Sequence, residues 1–111
     1  MKFTLLCWAS LLFTLPVVAG DIAFGTLKGI KVYDQSTKKV TELHFSDDAG
    51  LQKVEGCNGV ARITHSLHSE VSVNQMTSLA IAAYMSGKKV RANSAGDTCE
   101  MDFLAIQETS F

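Results

Sequence analysis

The amino-acid sequence predicts a small, mainly β domain with one α-helix, a five-stranded barrel whose elements run β-β-β-α-β-β. Three observations predict it. Short runs mixing β-branched, aromatic and polar residues occupy positions 25–34, 39–45, 60–64, 90–94 and 101–106. A single long stretch, 74–87, follows helical spacing instead. Between the runs lie polar, glycine-bearing segments that suit turns better than further helices.

The chain has 111 residues, 47% apolar and 19% charged, with a formal net charge of -1. That length allows one domain, and the apolar fraction is that of a globular chain rather than a disordered one. Ten Lys and Arg against eleven Asp and Glu leave no basic excess to hold a phosphate backbone. Nucleic acid is therefore excluded as the expected partner.

Residues 1–19 read as a secretory signal peptide. Lys2 supplies the positive start, the run from Leu5 to Val18 is apolar, and Pro16 breaks it just before Val17 and Ala19 at the -3 and -1 positions. Cleavage is expected between Ala19 and Gly20, leaving residues 20–111 as one domain. As a membrane anchor the stretch would be at the short end of the roughly 17–25 residues that span a bilayer, so no membrane attachment is expected after processing. The exported protein should have the intact mass of a chain beginning at Gly20, or at Asp21 as the near alternative. A mass that retains Met1 or Lys2 contradicts the assignment.

Processing removes Cys7 and leaves Cys57 and Cys99. Two cysteines in a small exported domain read as one disulfide. They stand 42 positions apart, a loop for which chain entropy gives about 4 kcal/mol. The compartment this implies is secreted or periplasmic.

The elements follow in order. Residues 25–34 carry Leu27, Ile30, Val32 and Tyr33 and end in the polar cluster Asp34-Gln35-Ser36; residues 39–45 alternate Thr41, Leu43 and Phe45 with Val40, Glu42 and His44. These two read as a hairpin. Residues 46–59, with Asp47-Asp48, Gly50, Gly56 and Asn58-Gly59, read as a loop, and 60–64 as the third strand. Asn74 stands as N-cap of the helix and Gly87 as its left-handed terminator. Between them Met76, Leu79, Ala80, Ala83 and Tyr84 form an apolar stripe, widened by Ile81, Ala82 and Met85. No charge occurs from Gln75 to Ser86, so the helix is expected to be mostly covered. Residues 90–94 form the fourth strand. The fifth, carrying Met101, Phe103, Leu104, Ala105 and Ile106, is apolar on both faces and is expected inside the barrel rather than at an edge.

Three strands, a helix and two strands is the element order of the OB-fold, in which the helix plugs the open end of a Greek-key barrel. The run Asn74-Gln75-Met76-Thr77-Ser78-Leu79-Ala80-Ile81-Ala82-Ala83-Tyr84-Met85-Ser86-Gly87-Lys88-Lys89-Val90-Arg91 resembles the helix-to-strand junction of the subtilase-cytotoxin B-subunit type. The resemblance implies an OB-fold, a homo-oligomeric ring of five and binding of cell-surface glycans. It carries no individual glycan-contact residue onto this chain, and one fold hosts many activities.

Residues with chemical potential are few. His65 and His68 would share a metal only on a helix, and here they fall in a loop and read as solvated; His44 belongs to another strand. Asp47-Asp48 lacks the spaced carboxylates of a calcium loop. Cys57 beside a histidine could be a nucleophile, but pairing with Cys99 explains it better. No phosphate loop or nucleophile elbow occurs. The expectation is a protein without catalytic residues, cofactor or metal. Two functions remain: a glycan- or surface-binding module of B-subunit kind, or a monomeric periplasmic accessory or inhibitor of another envelope protein. The ligand-binding residues are not identifiable from sequence.

Overall fold

The computed structural model describes residues 20–49, 56–96 and 98–109. Among the described residues are six strands and one helix: β1 (Gly20–Gly25), β2 (Leu27–Gln35), β3 (Lys38–Phe45), β4 (Val60–Thr64), a 3-10 turn (His65–Leu67), α1 (Glu70–Ser86), β5 (Val90–Ser94) and β6 (Phe103–Ile106). These residues are mainly β with one helix. In place of one five-stranded barrel, the hydrogen bonds form two three-stranded antiparallel sheets, ordered β1-β5-β6 and β2-β3-β4, which are not closed into a barrel.

The strand missing from the expected order is β1. Its sequence, Gly-Asp-Ile-Ala-Phe-Gly, has two glycines and an acid, a weak local signal for a strand. Long-range pairing makes it one. Its register with β5 sets Asp21 beside Asn93 and Phe24 beside Arg91. Asp21, only 4% exposed, accepts from Arg91 Nε at 2.8 Å and from Asn93 Nδ2 at 2.7 Å. A carboxylate so deeply buried persists because charge-assisted bonds replace its water.

Two links join the sheets. Thr26 alone separates β1 from β2. At the opposite seam Arg62 of β4 makes an isolated parallel bridge to Glu100, with Arg62 N–H donating to Cys99 O at 2.8 Å and Met101 N–H to Arg62 O at 2.9 Å. The Cys57–Cys99 disulfide crosses this seam, with Cα atoms 5.5 Å apart. That separation is within the ordinary range for a bridged pair. The core between the sheets holds Ile22, Leu27, Leu43, Phe45, Ala61, Ile63, Val90, Ala92 and Met101, with Ala80 and Ala83 of α1 laid against it.

The helix cap stands five residues before the expected one. Ser69, not Asn74, caps the helix, its Oγ accepting from Ser72 N–H at 3.1 Å, and Glu70 in the first turn complements the helix dipole. Its end is as expected: Gly87 takes φ 68° and donates its N–H to Ala83 O. The expected coverage does not hold. Ala80 and Ala83 are its only fully buried residues, Val73 and Met76 flank them, and Leu79 and Tyr84 sit outside the contact. A stripe of small residues needs only a narrow seat, so the sheets cover one side of α1. No helix among the described residues is long and apolar enough to cross a membrane.

The last strand is also placed differently. It forms the edge of its sheet, with Phe103 and Ile106 exposed, and the fully buried residue is Met101, just ahead of it. Alternation cannot tell an edge from an interior strand when both faces are apolar. The preceding turn folds around Ser94, whose buried Oγ accepts from the N–H groups of Gly96 and Thr98.

Candidate functional site

Two clusters collect the polar chemistry of the described residues. The first surrounds Glu100, next to the disulfide. Its Oε2 accepts from Thr64 N–H at 2.6 Å and lies 2.9 Å from His68 Nε2, while Oε1 accepts from the Thr64 hydroxyl. His65 Nε2 meets Thr41 Oγ1 at 3.0 Å, and His44 Nε2 meets Glu42 Oε1 at 3.1 Å. All three imidazoles therefore have partners, contrary to the expectation of a solvated loop. The 3-10 turn folds His65 and His68 back against β3 and the seam. Thr64 and His68 both serve the same carboxylate, and the hydroxyl that does meet an imidazole, Thr41 Oγ1 on His65, is buried at 1% exposure. The cluster is built to fasten the helix approach to the seam. No three His, Cys, Asp or Glu side chains among the described residues converge on a metal position.

The second cluster is a cleft of about 290 Å³ where β1 passes into β2, lined by Phe24, Gly25, Thr26, Asp48, Ala49 and Lys89. Its floor is a close backbone approach: a Cβ on Gly25 would lie 2.8 Å from the Ala49 methyl. Glycine lets the segment after β3 rest on β1. That segment is a tight turn, with Ser46 N–H donating to Thr26 O at 2.9 Å and Ala49 N–H to Ser46 O at 2.9 Å. The Thr26 and Ser46 hydroxyls meet at 3.0 Å.

The two neighbouring aspartates have different roles. Lys28 Nζ binds Asp47 at 2.8 Å and, by hydrogen bond and charge, holds its carboxyl below the ordinary carboxylate range. Asp48, on the cleft, makes no ion pair or side-chain hydrogen bond among the described residues. Lys89 supplies the opposite charge. It reaches the cleft because Val90 pairs with Gly25 across β1 and β5, and its Nζ lies 5.9 Å from the Phe24 ring centroid.

No family model, curated protein or solved structure matches the chain.

Of the residues singled out from sequence, Cys57 and Cys99 are joined. Gly20 opens β1; Ala19 lies outside the described residues. Asp48 enters the cleft. Sequence reasoning missed Phe24 and Lys89 as partners. They are 65 positions apart, and only the β1–β5 pairing brings them together. The one local signal was Lys88-Lys89 directly after the helix-ending Gly87.

Proposed function

We propose that the exported chain is a small recognition module of OB-fold kind that binds a cell-surface glycan in the cleft between Phe24, Asp48 and Lys89. The cleft carries this reading. A sugar ring offers an apolar C–H face and a rim of hydroxyls. An aromatic ring flanked by one carboxylate acceptor, one ammonium donor and a threonine hydroxyl answers both features. The uncommitted charges of Asp48 and Lys89 add hydrogen bonds to hydroxyls that neutral groups would make more weakly.

The chain path supports the fold part of the reading. Taken as one strand bent at Thr26, β1 and β2 pair with β5 on one side and β3 on the other. From β3 the order continues to β4, across the Arg62–Glu100 bridge toward β6, and through β5 back to β1. The two sheets are not closed into a barrel, but that order, with the helix between the third and fourth strands of the circuit, is compatible with an OB arrangement and supports the reading. It agrees with the resemblance of residues 74–91 to the subtilase-cytotoxin B-subunit type. Cleavage after Ala19 would leave the described strand Gly20–Gly25 intact.

Glycan-array screening of the exported protein, followed by calorimetry on the best ligand, tests the reading. Lys89→Ala and Asp48→Ala are each expected to weaken binding about tenfold, since each removes one charge-assisted hydrogen bond worth roughly 1.5–3 kcal/mol. Melting temperatures should stay unchanged, both side chains being exposed. An array without a hit, or affinity unaffected by both substitutions, overturns it.

A further inference from the structure

The outer face of α1 is chemically unlike a solvated helix surface. Met85 is 78% exposed, Val71 64% and Ile81 48%. Between these knobs lies a shallow depression of about 530 Å³, lined by Val71, Asn74, Gln75, Ser78, Leu79 and Ala82. The helix carries no charge from Val71 to Ser86. An uncharged helix face that exposes Val71, Ile81 and Met85 among Asn74, Gln75 and Ser78 has apolar surface left to cover, and here the sheets cover only the opposite side. The charges stand at its ends: Glu70 in the first turn, Lys88 just beyond the last. Neither makes an ion pair or a side-chain hydrogen bond among the described residues.

We propose that this face is a two-fold interface between two copies of the chain, with the α1 helices packed antiparallel about an axis through Ser78. The helix selects that axis itself. Ser78 is the midpoint of Glu70–Ser86 and lies at the centre of the exposed face. An antiparallel pair centred there sets Val71 of one copy against Met85 of the other, Gln75 against Ile81, and Asn74 against Ala82. Val71 and Met85 then meet knob to knob, Ile81 lies along the stem of Gln75, and the small side chains of Ser78 and Ala82 permit close approach at the crossing. The ends match as well. Glu70 comes opposite Ser86, about 3 Å along the axis from the level of Lys88. Each dimer so formed has two Glu70–Lys88 contacts, and its helix dipoles oppose. A two-fold contact requires a self-complementary surface, and a face uncharged at its middle with opposite charges at its ends is one. A parallel pairing would place like charges together. This inference is independent of the glycan reading; where both hold, a dimer presents two clefts and gains avidity.

Light scattering of the exported chain over a concentration series tests it, with a mass twice that of the monomer expected at high concentration. Ser78→Arg buries two cations on the axis and is expected to abolish the dimer, with the far-ultraviolet circular dichroism retained. Glu70→Lys alone and Lys88→Glu alone are each expected to raise the dissociation constant about fivefold at low salt, and the double reversal to restore it. A monomer at all concentrations, a mass five times the monomer, or a dimer indifferent to Ser78→Arg overturns the proposal. So does failure of the double reversal to restore what the single reversals weaken.

Discussion

Cys57→Ser, at a buried position of the core, is expected to be among the most damaging single changes. The bridge to Cys99 limits the unfolded chain by closing a 42-position span, for which chain entropy gives about 4 kcal/mol. It also crosses the seam between the sheets, which the Arg62–Glu100 backbone bridge otherwise holds. Native domains of this size have only about 5–15 kcal/mol in total. Losing the disulfide should therefore lower the melting temperature by well over 10 °C, at roughly 4–8 °C per kcal/mol. It should also expose Cys99 to alkylation. The effect should be matched by reductant acting on the unsubstituted protein, because both remove the same covalent link. A melting temperature unchanged in either case, or Cys57 and Cys99 both freely alkylated in the untreated protein, contradicts the bridge.

Ala83→Asp is expected to be as severe for a different reason. Ala83 is fully buried on the side of α1 that meets the core, beside Ala80 and under the sheets. A carboxylate there either stays in an apolar contact without a partner or pushes the helix away, and unpaired burial costs several kcal/mol. Asn74→Asp, on the exposed side of the same helix, should change stability by less than about 0.5 kcal/mol. Chemical denaturation of the two variants in dilute protein checks the helix orientation directly. Equal destabilisation contradicts it.

The expectation drawn from sequence alone would have chosen Leu79 for that experiment, and the reason is instructive. Leu79 and Tyr84 fit the same helical template as Ala80 and Ala83, and all are apolar. Period identifies a helix, but when the whole circumference is apolar it does not identify which face is inside. The contact itself chose the alanines, because small side chains let the helix sit close to the sheets. The same ambiguity affects β6, whose two apolar faces suggested an interior strand where the pairing makes an edge.

Local chemistry set a good deal by itself. The hairpin of β2 and β3, the strand β4, the helix end at Gly87 and the strand β5 all have signals within a few residues of chain: alternation, turn residues, a left-handed glycine. The disulfide was legible too, from the expectation that processing removes Cys7 and leaves Cys57 and Cys99 to pair. What the tertiary structure decided was everything resting on residues far apart in sequence. β1 is a strand because β5 pairs with it, and Asp21 is tolerated in it because Arg91 and Asn93 are there to bind it. The histidines are fastened rather than solvated because Thr41, Glu42 and Glu100 meet them. The cleft exists because the same β1–β5 pairing carries Lys89 to Phe24, and because Gly25 has no side chain to hold Ala49 off. Propensity and capping act within a turn or two of chain. Burial and charge pairing depend on neighbours that only the folded chain supplies.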